Sequence, residues 1–284
     1  RARDYYDGNQ LSAEELEELK KRGQPPIKFN RIRRKIEWLK GLEVKQRTDP
    51  KAFPRTPQHV HGAEAATDAI RYVCDAQDWD NVRSNCYDNF LIEGYCAAEI
   101  VHEQTQDGDV DIKINHYPWD RLFYDPHSRK SDFSDARYKG VVLWMDEADF
   151  KDQFGDKVDI AGLYKEGTNS ETHDDKPSRW VDPRRKRVRV MLIWHREGQV
   201  WKYCYFVRGT KLKSGESPYK DEKGRSLCPL IMQSAFISRD LDRYGVVRDM
   251  FDPQDELNKR RSKSLHGINS RQTIAIKSAV DGGA

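Results

Sequence analysis

Apolar residues at helical spacing mark the start of the chain. Ser12 and Glu15 form a capping box, which predicts a helix that ends near Gly23. A second helix is predicted from Asn30 to Gly41, because three apolar residues fall at i, i+4 and i+7: Ile32, Ile36 and Leu39.

The next part of the chain changes from helix to strand. Leu42–Arg47 is predicted as a short strand, and residues 59–94 are predicted as two helices with a break at Asp75–Asp80. A β-hairpin is then predicted over Cys96–Pro118, because two runs rich in β-branched residues surround an Asp-Gly turn signal.

Strands dominate the pattern further along. Gly140–Met145 is predicted as a buried strand, Arg187–Gly209 as a second hairpin, and Cys228–Ile237 as an extended segment. Two polar stretches predict surface loops, at residues 155–183 and 211–225. Helices followed by antiparallel strands and a terminal helix, without βαβ alternation, predict an α+β fold.

The last predicted helix starts at Asp252 and has an unusually thin apolar stripe. Leu257, Leu265 and Ile268 are too few to cover a full helix face. We therefore expect this helix to be poorly buried in a single copy of the chain, and to pack against other copies or face a polyanion. Its candidate site residues are basic: Lys259, Arg260, Arg261 and Lys263.

Composition describes a polar but folded chain of 284 residues. Charged residues make up 34% and apolar residues 37%, yet seven Trp, thirteen Tyr and ten Phe can build a core. The net charge of +3 is close to balance, so overall charge does not argue for a nucleic-acid-binding polycation. No run of eighteen apolar residues occurs, and no membrane span is predicted.

No metal or cofactor is predicted. The five cysteines form no CxxC pair, which favours reduced core thiols over a zinc site. His59 and His61 lack a third ligand at helical spacing, so they are predicted to lie in a polar turn. The carboxylates of one loop are predicted to form turns, and a cation site is the alternative: Asp120, Asp125, Asp132 and Asp135.

The chain is predicted not to be an enzyme. It has no GxSxG, HExxH or GxxxxGK[ST] sequence, which serine hydrolases, zincins and P-loop proteins carry. Glu43 and Lys45 form an ExK triplet of the kind found in metal-dependent nucleases. A nuclease using these two residues is one alternative hypothesis.

A second basic segment raises another alternative. Six basic residues and one Asp occur between Arg179 and Val190. We interpret this segment as an edge strand that its charges protect from sheet-to-sheet pairing. The alternative is a nonspecific nucleic-acid-binding module that uses Arg184–Arg189.

Several segments together resemble one family, the portal proteins of short-tailed bacteriophages. The most specific is "YGVVRDMFDPQDELNKRRSKSL", which contains the terminal helix. The others match in order along the chain: "RDYYDGNQ", "GQPPIKFNRIRRK", "LIEGYCAAEI", "YPWDRLFYDP" and "SDFSDARY".

This resemblance implies a portal wing for residues 1–250 and the beginning of a stem helix, leading toward the clip, for residues 251–284. Portals are rings, usually of twelve subunits, and their stem helices pack against neighbouring subunits around a central channel. A second stem helix and most of the clip would lie outside this sequence. We therefore expect the chain to be a piece of a longer protein.

The resemblance also implies partners and a location. A portal ring stands at a capsid vertex of the virion after assembly in the host cytoplasm, and DNA passes through it during packaging and ejection. The implied partners are other copies of the chain, the terminase large subunit, capsid or scaffold proteins, tail adaptor proteins and double-stranded DNA. The four basic residues, Lys259, Arg260, Arg261 and Lys263, would face the channel or a subunit interface. No enzymatic activity, cofactor or membrane is implied, because the packaging ATPase is a separate terminase.

Overall fold

The chain forms two compact units in its computed structural model. One unit combines Arg1–Gly41 with the C-terminal part from Val246, and the other is Leu42–Gly245. The structure describes residues 1–104, 108, 110–155, 157–160, 162–163, 180–182 and 184–270.

Helices and antiparallel strands both contribute, which confirms the α+β class. The α-helices are α1 Ala2–Asp7, α2 Ala13–Lys21, α3 Arg31–Lys45, α4 Val60–Ala76, α5 Trp79–Ile92, α6 Glu147–Phe154 and α7 Phe251–Asn269. The strands are β1 Tyr95–Gln104, β2 Val110–Tyr117, β3 Leu122–Tyr124, β4 Tyr138–Asp146, β5 Val181–Asp182, β6 Arg187–Glu197, β7 Val200–Val207, β8 Thr210–Glu216, β9 Leu230–Ser234, β10 Phe236–Ile237 and β11 Arg243–Tyr244.

The capping box of α2 forms as predicted. The Ser12 hydroxyl accepts from the Glu15 N–H at 3.1 Å, and the Glu15 carboxylate accepts from the Ser12 N–H at 3.0 Å. The break between α4 and α5 also lies where it was predicted, with α4 ending at Ala76 and α5 starting at Trp79.

The prediction of a strand at Leu42–Arg47 was wrong, because α3 continues through Gly41 to Lys45. Glu43 and Arg47 are spaced i, i+4 and form an ion pair with a 3.1 Å N···O distance. The Gln46 N–H also donates to the Leu42 carbonyl at 3.0 Å. These local contacts offset the cost of about 1 kcal/mol that a glycine imposes inside a helix.

Both predicted hairpins are confirmed. β1 and β2 pair antiparallel with Ile100 opposite Ile114, and β6 pairs with β7 with Ile193 opposite Cys204. The turn of the first hairpin falls mostly on residues outside the described part of the chain, but Gly108 has a φ of +85°. The hairpins enter different sheets, a three-stranded one ordered β2–β1–β9 and a larger one ordered β3–β4–β6–β7–β8, in which β5 also pairs with β6.

Two predictions for residues of the larger sheet need correction. Residues 211–225 were expected to form a loop, but β8 covers Thr210–Glu216 and pairs with β7. Its two lysines and one serine give no strand signal, because β7 supplies the pairing partner and the apolar contacts. The segment at Arg179–Val190 was expected to be one edge strand, but it contains two strands: β5 pairs with β6 alone in the described part of the chain, whereas the start of β6 is paired with β4 on one side and β5 on the other. The predicted loop at 155–183 lies largely outside the described residues.

A close backbone contact joins the end of α5 to β11. Gly94 follows α5 with a φ of +94°, and an added Cβ would lie 2.0 Å from the Tyr244 carbonyl carbon. A Cβ on Gly245 would likewise lie 2.3 Å from the Leu91 carbonyl oxygen. Glycine is therefore required on both sides of this contact. Leu91–Gly94 and Tyr244–Gly245, which are far apart in sequence, meet here.

A buried carboxyl lies in the core of the unit formed by Leu42–Gly245. Glu99 of β1 is 5% exposed, and its Oε2 accepts from the Tyr117 hydroxyl at 2.7 Å. Burial raises the pKa of Glu99, although the hydrogen bond from Tyr117 acts in the opposite direction.

Glu99→Gln is expected to make the stability of the chain less dependent on pH. Because the pKa of Glu99 is raised in the folded state, the protonated form stabilises the fold, and that stability is lost as pH rises through the folded pKa. A glutamine keeps an acceptor for Tyr117 and carries no charge. Urea midpoints should therefore be higher for the variant at pH 8 and nearly equal to wild type at pH 4. The control is Glu103→Gln, an exposed change on the same strand, and equal pH profiles for both variants would contradict the account.

Candidate functional site

The candidate site is helix α7 together with the N-terminal segment that it contacts. The helix runs over Phe251–Asn269 and begins one residue before the predicted start, with Met250 at the N-cap position. Asp252 therefore lies in its first turn, where the helix dipole favours a carboxylate.

A polar stripe, Gln254, Asn258 and Ser262, forms the buried face of α7. These three residues are spaced i, i+4 and i+8, and each is only 3% exposed. One side of the helix is therefore covered by its own chain, although its side chains there are polar.

Every member of this stripe is hydrogen-bonded to residues 10–31. Asn258 donates to the Gln10 Oε1 at 2.7 Å and accepts from the Phe29 N–H at 3.0 Å. Gln254 donates to the Phe29 carbonyl at 2.9 Å and accepts from the Arg31 N–H at 3.1 Å. The Ser262 hydroxyl donates to the Pro25 carbonyl at 2.6 Å. Buried polar groups of this kind stabilise a contact only when they are paired, as these are.

The start of α7 is fixed by an aromatic contact. The rings of Tyr5 and Phe251 lie 4.4 Å apart between centroids, and the Arg1 guanidinium lies 4.9 Å from the Phe251 ring centroid. The Tyr5 hydroxyl donates to the Asp255 carboxylate at 2.9 Å. Burial is the largest cause of the raised pKa of Tyr5, so this hydroxyl keeps its proton and remains a donor.

The prediction that α7 is poorly buried within one copy was therefore wrong for one of its faces. The prediction considered only apolar residues, and the contact is made by an amide–amide–hydroxyl stripe. The signal that was missed is the spacing of Gln254, Asn258 and Ser262. Leu265 and Ile268 nevertheless remain 37% and 74% exposed, as expected from their small number.

The four predicted site residues all lie on exposed parts of α7. Arg260 forms an i, i+4 ion pair with Glu256. In the described part of the chain, no carboxylate lies within ion-pair distance of Lys259, Arg261 or Lys263. At about 100° per residue, Lys259, Arg260 and Lys263 lie on the side of the helix away from Gln254, while Arg261 lies beside the buried stripe. The structure thus brings three of the four to one side and separates Arg261 from them.

The ExK triplet does not form a nuclease-like pair. Glu43 accepts from Arg47 and Ser84, and its carboxylate lies 3.0 Å from the Arg83 guanidinium. The hydrogen bond from Arg47 is the largest cause of its lowered pKa. Residues two apart face the same way on a strand but not on a helix, and α3 is helical here. Lys45 therefore points away from Glu43.

The basic segment at Arg184–Arg189 lies beside carboxylates that bind several of its groups. Arg187 pairs with Asp146 at 2.8 Å, and the N–H groups of Arg184 and Arg185 donate to Asp182. The depression beside this turn has a mixed lining of both charges: Asp146, Glu147, Ala148, Lys151, Arg185, Lys186 and Arg187. This arrangement does not make a phosphate cradle.

The aspartate-rich loop forms turns, as predicted. Asp125 accepts from the N–H groups of His127 and Arg137 at 3.0 Å each, and Asp135 accepts from the Arg129 N–H at 2.7 Å. Within the ranges that the structure describes, no group of three His, Cys, Asp or Glu side chains has metal-site geometry. No helix in those same ranges is both long and apolar enough to span a bilayer.

Comparison with known proteins gives two findings. A family model described as phage P22-like portal protein matches residues 1–200 and 195–284. The portal protein of Helicobacter pylori bacteriophage KHP30 is 22% identical over 286 residues, which cover 98% of this chain and 44% of that protein. The chain thus spans less than half the length of this relative.

Proposed function

This chain belongs to the phage P22-like portal protein family, and from that premise we propose that it is the wing and first stem segment of a subunit in a portal ring. Its role in the virion is structural. In the proposal, copies of the full-length protein, usually twelve in such rings, close around a channel at one capsid vertex. The channel passes double-stranded DNA inward during packaging and outward during ejection.

The observation that carries the proposal is the match of the family model along the chain. The geometry of α7 supports it, because one face is attached to residues 10–31 and the opposite side presents Lys259 and Lys263, which form no ion pair within the described part of the chain. Residues 1–250 are the proposed wing, and residues 251–284 are the proposed start of a long stem helix that leads toward the clip. We propose that Lys259, Arg260, Arg261 and Lys263 face the channel or a neighbouring subunit.

The near balance of charge suits such a channel. Each phosphate that a protein neutralises strengthens DNA binding and makes it salt-dependent, so a strongly basic wall would hold the DNA in place. A net charge of +3 over 284 residues avoids this. The proposed partners are the terminase large subunit, which supplies the ATPase, together with capsid or scaffold proteins and tail adaptor proteins. Assembly takes place in the host cytoplasm, and no membrane is involved.

The packaging role can be tested in the phage that encodes the protein. A nonsense mutation in its gene should leave capsid assembly possible while removing DNase-protected genome from the particles. A plasmid copy of the wild-type gene should restore the protected DNA. A normal amount of protected genome in particles without the protein would overturn the proposal. Cleavage of DNA by the purified protein with Mg²⁺ or Mn²⁺, lost on Glu43→Ala, would instead support a nuclease.

A further inference from the structure

Helix α2 is the least covered helix in the unit that contains α7. None of its residues is buried, and only Leu16 and Leu19 are half-buried. Glu14, Glu17 and Glu18 are spaced i, i+3 and i+4 on the opposite side, and all three are exposed. The helix therefore presents an acidic face to its surroundings.

This acidic face has few partners within its own copy. Glu18 pairs with Arg22 at 3.4 Å, and Glu15 takes part in the capping box. Among the residues that the structure describes, Glu14 and Glu17 form no ion pair. No ion pair joins α2 to Lys259 or Lys263 of the same copy either.

The acidic and basic faces are matched in spacing. Glu14 and Glu18 are four residues apart on α2, and Lys259 and Lys263 are four residues apart on α7. Side chains at i and i+4 lie about 6 Å apart along a helix, so two such pairs can meet in register. The charges are opposite, both sets are exposed, and both belong to one unit of the chain.

We propose that Glu14 and Glu18 of one copy pair with Lys259 and Lys263 of a second copy of this chain. The inference rests on the proposed ring. A closed ring of more than two subunits needs two different, complementary patches on each subunit, and these two helices supply such patches. Exposed ion pairs are individually weak, so this contact selects the partner orientation and makes assembly sensitive to salt, rather than holding the ring alone.

The test uses the full-length protein with two charge-reversed variants. One variant carries Lys259→Glu and Lys263→Glu, and the other carries Glu14→Lys and Glu18→Lys. Each variant alone places like charges at every interface, so we expect about a tenfold loss of rings by electron microscopy and sedimentation. An equimolar mixture should restore them, because alternating copies place opposite charges at every interface. A control with the same change in charge is Lys211→Glu with Lys213→Glu on β8, and it should assemble normally.

The outcomes separate this inference from the proposed function. If wild-type protein forms rings and either reversed variant also assembles normally, the pairing is wrong while the ring stands. Failure of the mixture to restore rings would also overturn the pairing. If the lysines instead paired within their own copy or bound DNA, mixing the two variants would not restore assembly. If wild-type protein forms no ring at all, the proposed function fails first.

Discussion

Replacing Gly94 with alanine is expected to destabilise the unit formed by Leu42–Gly245 by at least about 3 kcal/mol in free energy of unfolding. The new Cβ would lie 2.0 Å from the Tyr244 carbonyl carbon and 2.4 Å from the Gly245 nitrogen. Both are backbone atoms, so no side-chain rotation can relieve the overlap. The end of α5 would have to move away from β11, which breaks the contact between two distant segments of the chain.

The matched control is Gly198→Ala in the turn between β6 and β7. Gly198 also has a positive φ, +61°, but nothing lies within 4 Å of an added Cβ. It should therefore lose only the conformational preference of glycine, about 1 kcal/mol. Urea unfolding of both variants measures the difference, and equal losses for the two glycines would show that the close approach at Gly94 does not matter.

The second large effect is expected for Asn258→Ala, with a loss of about 3 kcal/mol. The change removes the side chain that bonds to Gln10 and to the Phe29 N–H, and it leaves the buried Gln10 Oε1 and the partly buried Phe29 N–H without this partner. Hydrogen exchange should accelerate at the Phe29 amide and along the first turns of α7. These are the places where the contact between the helix and the N-terminal segment is made.

Ser264→Ala is the control for this prediction, because Ser264 is exposed on the same helix. It should change the free energy of unfolding by less than about 0.5 kcal/mol. A loss for Asn258→Ala no greater than that for Ser264→Ala would mean that the polar stripe does not hold the helix.

The sequence predicted the elements whose own residues determine their structure. The two long hairpins were predictable because alternation and turn residues lie within each segment. β8 was not predictable, since a segment with two lysines and one serine forms a strand only through pairing with β7. The end of α3 was misplaced because Gly41 suggested a stop, while the stabilising Glu43–Arg47 pair lies beyond it.

The candidate site, like the fold, was predicted only in part. The charges of α7 and their exposure follow directly from the residues. The attachment of the helix does not, because it depends on polar side chains that meet Gln10, Phe29 and Pro25, more than 200 residues earlier in the chain. Glutamine, asparagine and serine are common on solvated faces, and only the facing donors and acceptors turn them into a buried contact.

The central claim is that the full-length protein is a portal ring subunit. Electron microscopy of the purified full-length protein, with its mass measured by sedimentation, tests this most directly. We predict closed rings with an axial opening and a mass that is an integral multiple of the subunit mass. A monomer at every protein concentration and salt concentration, without any ring, would contradict the account.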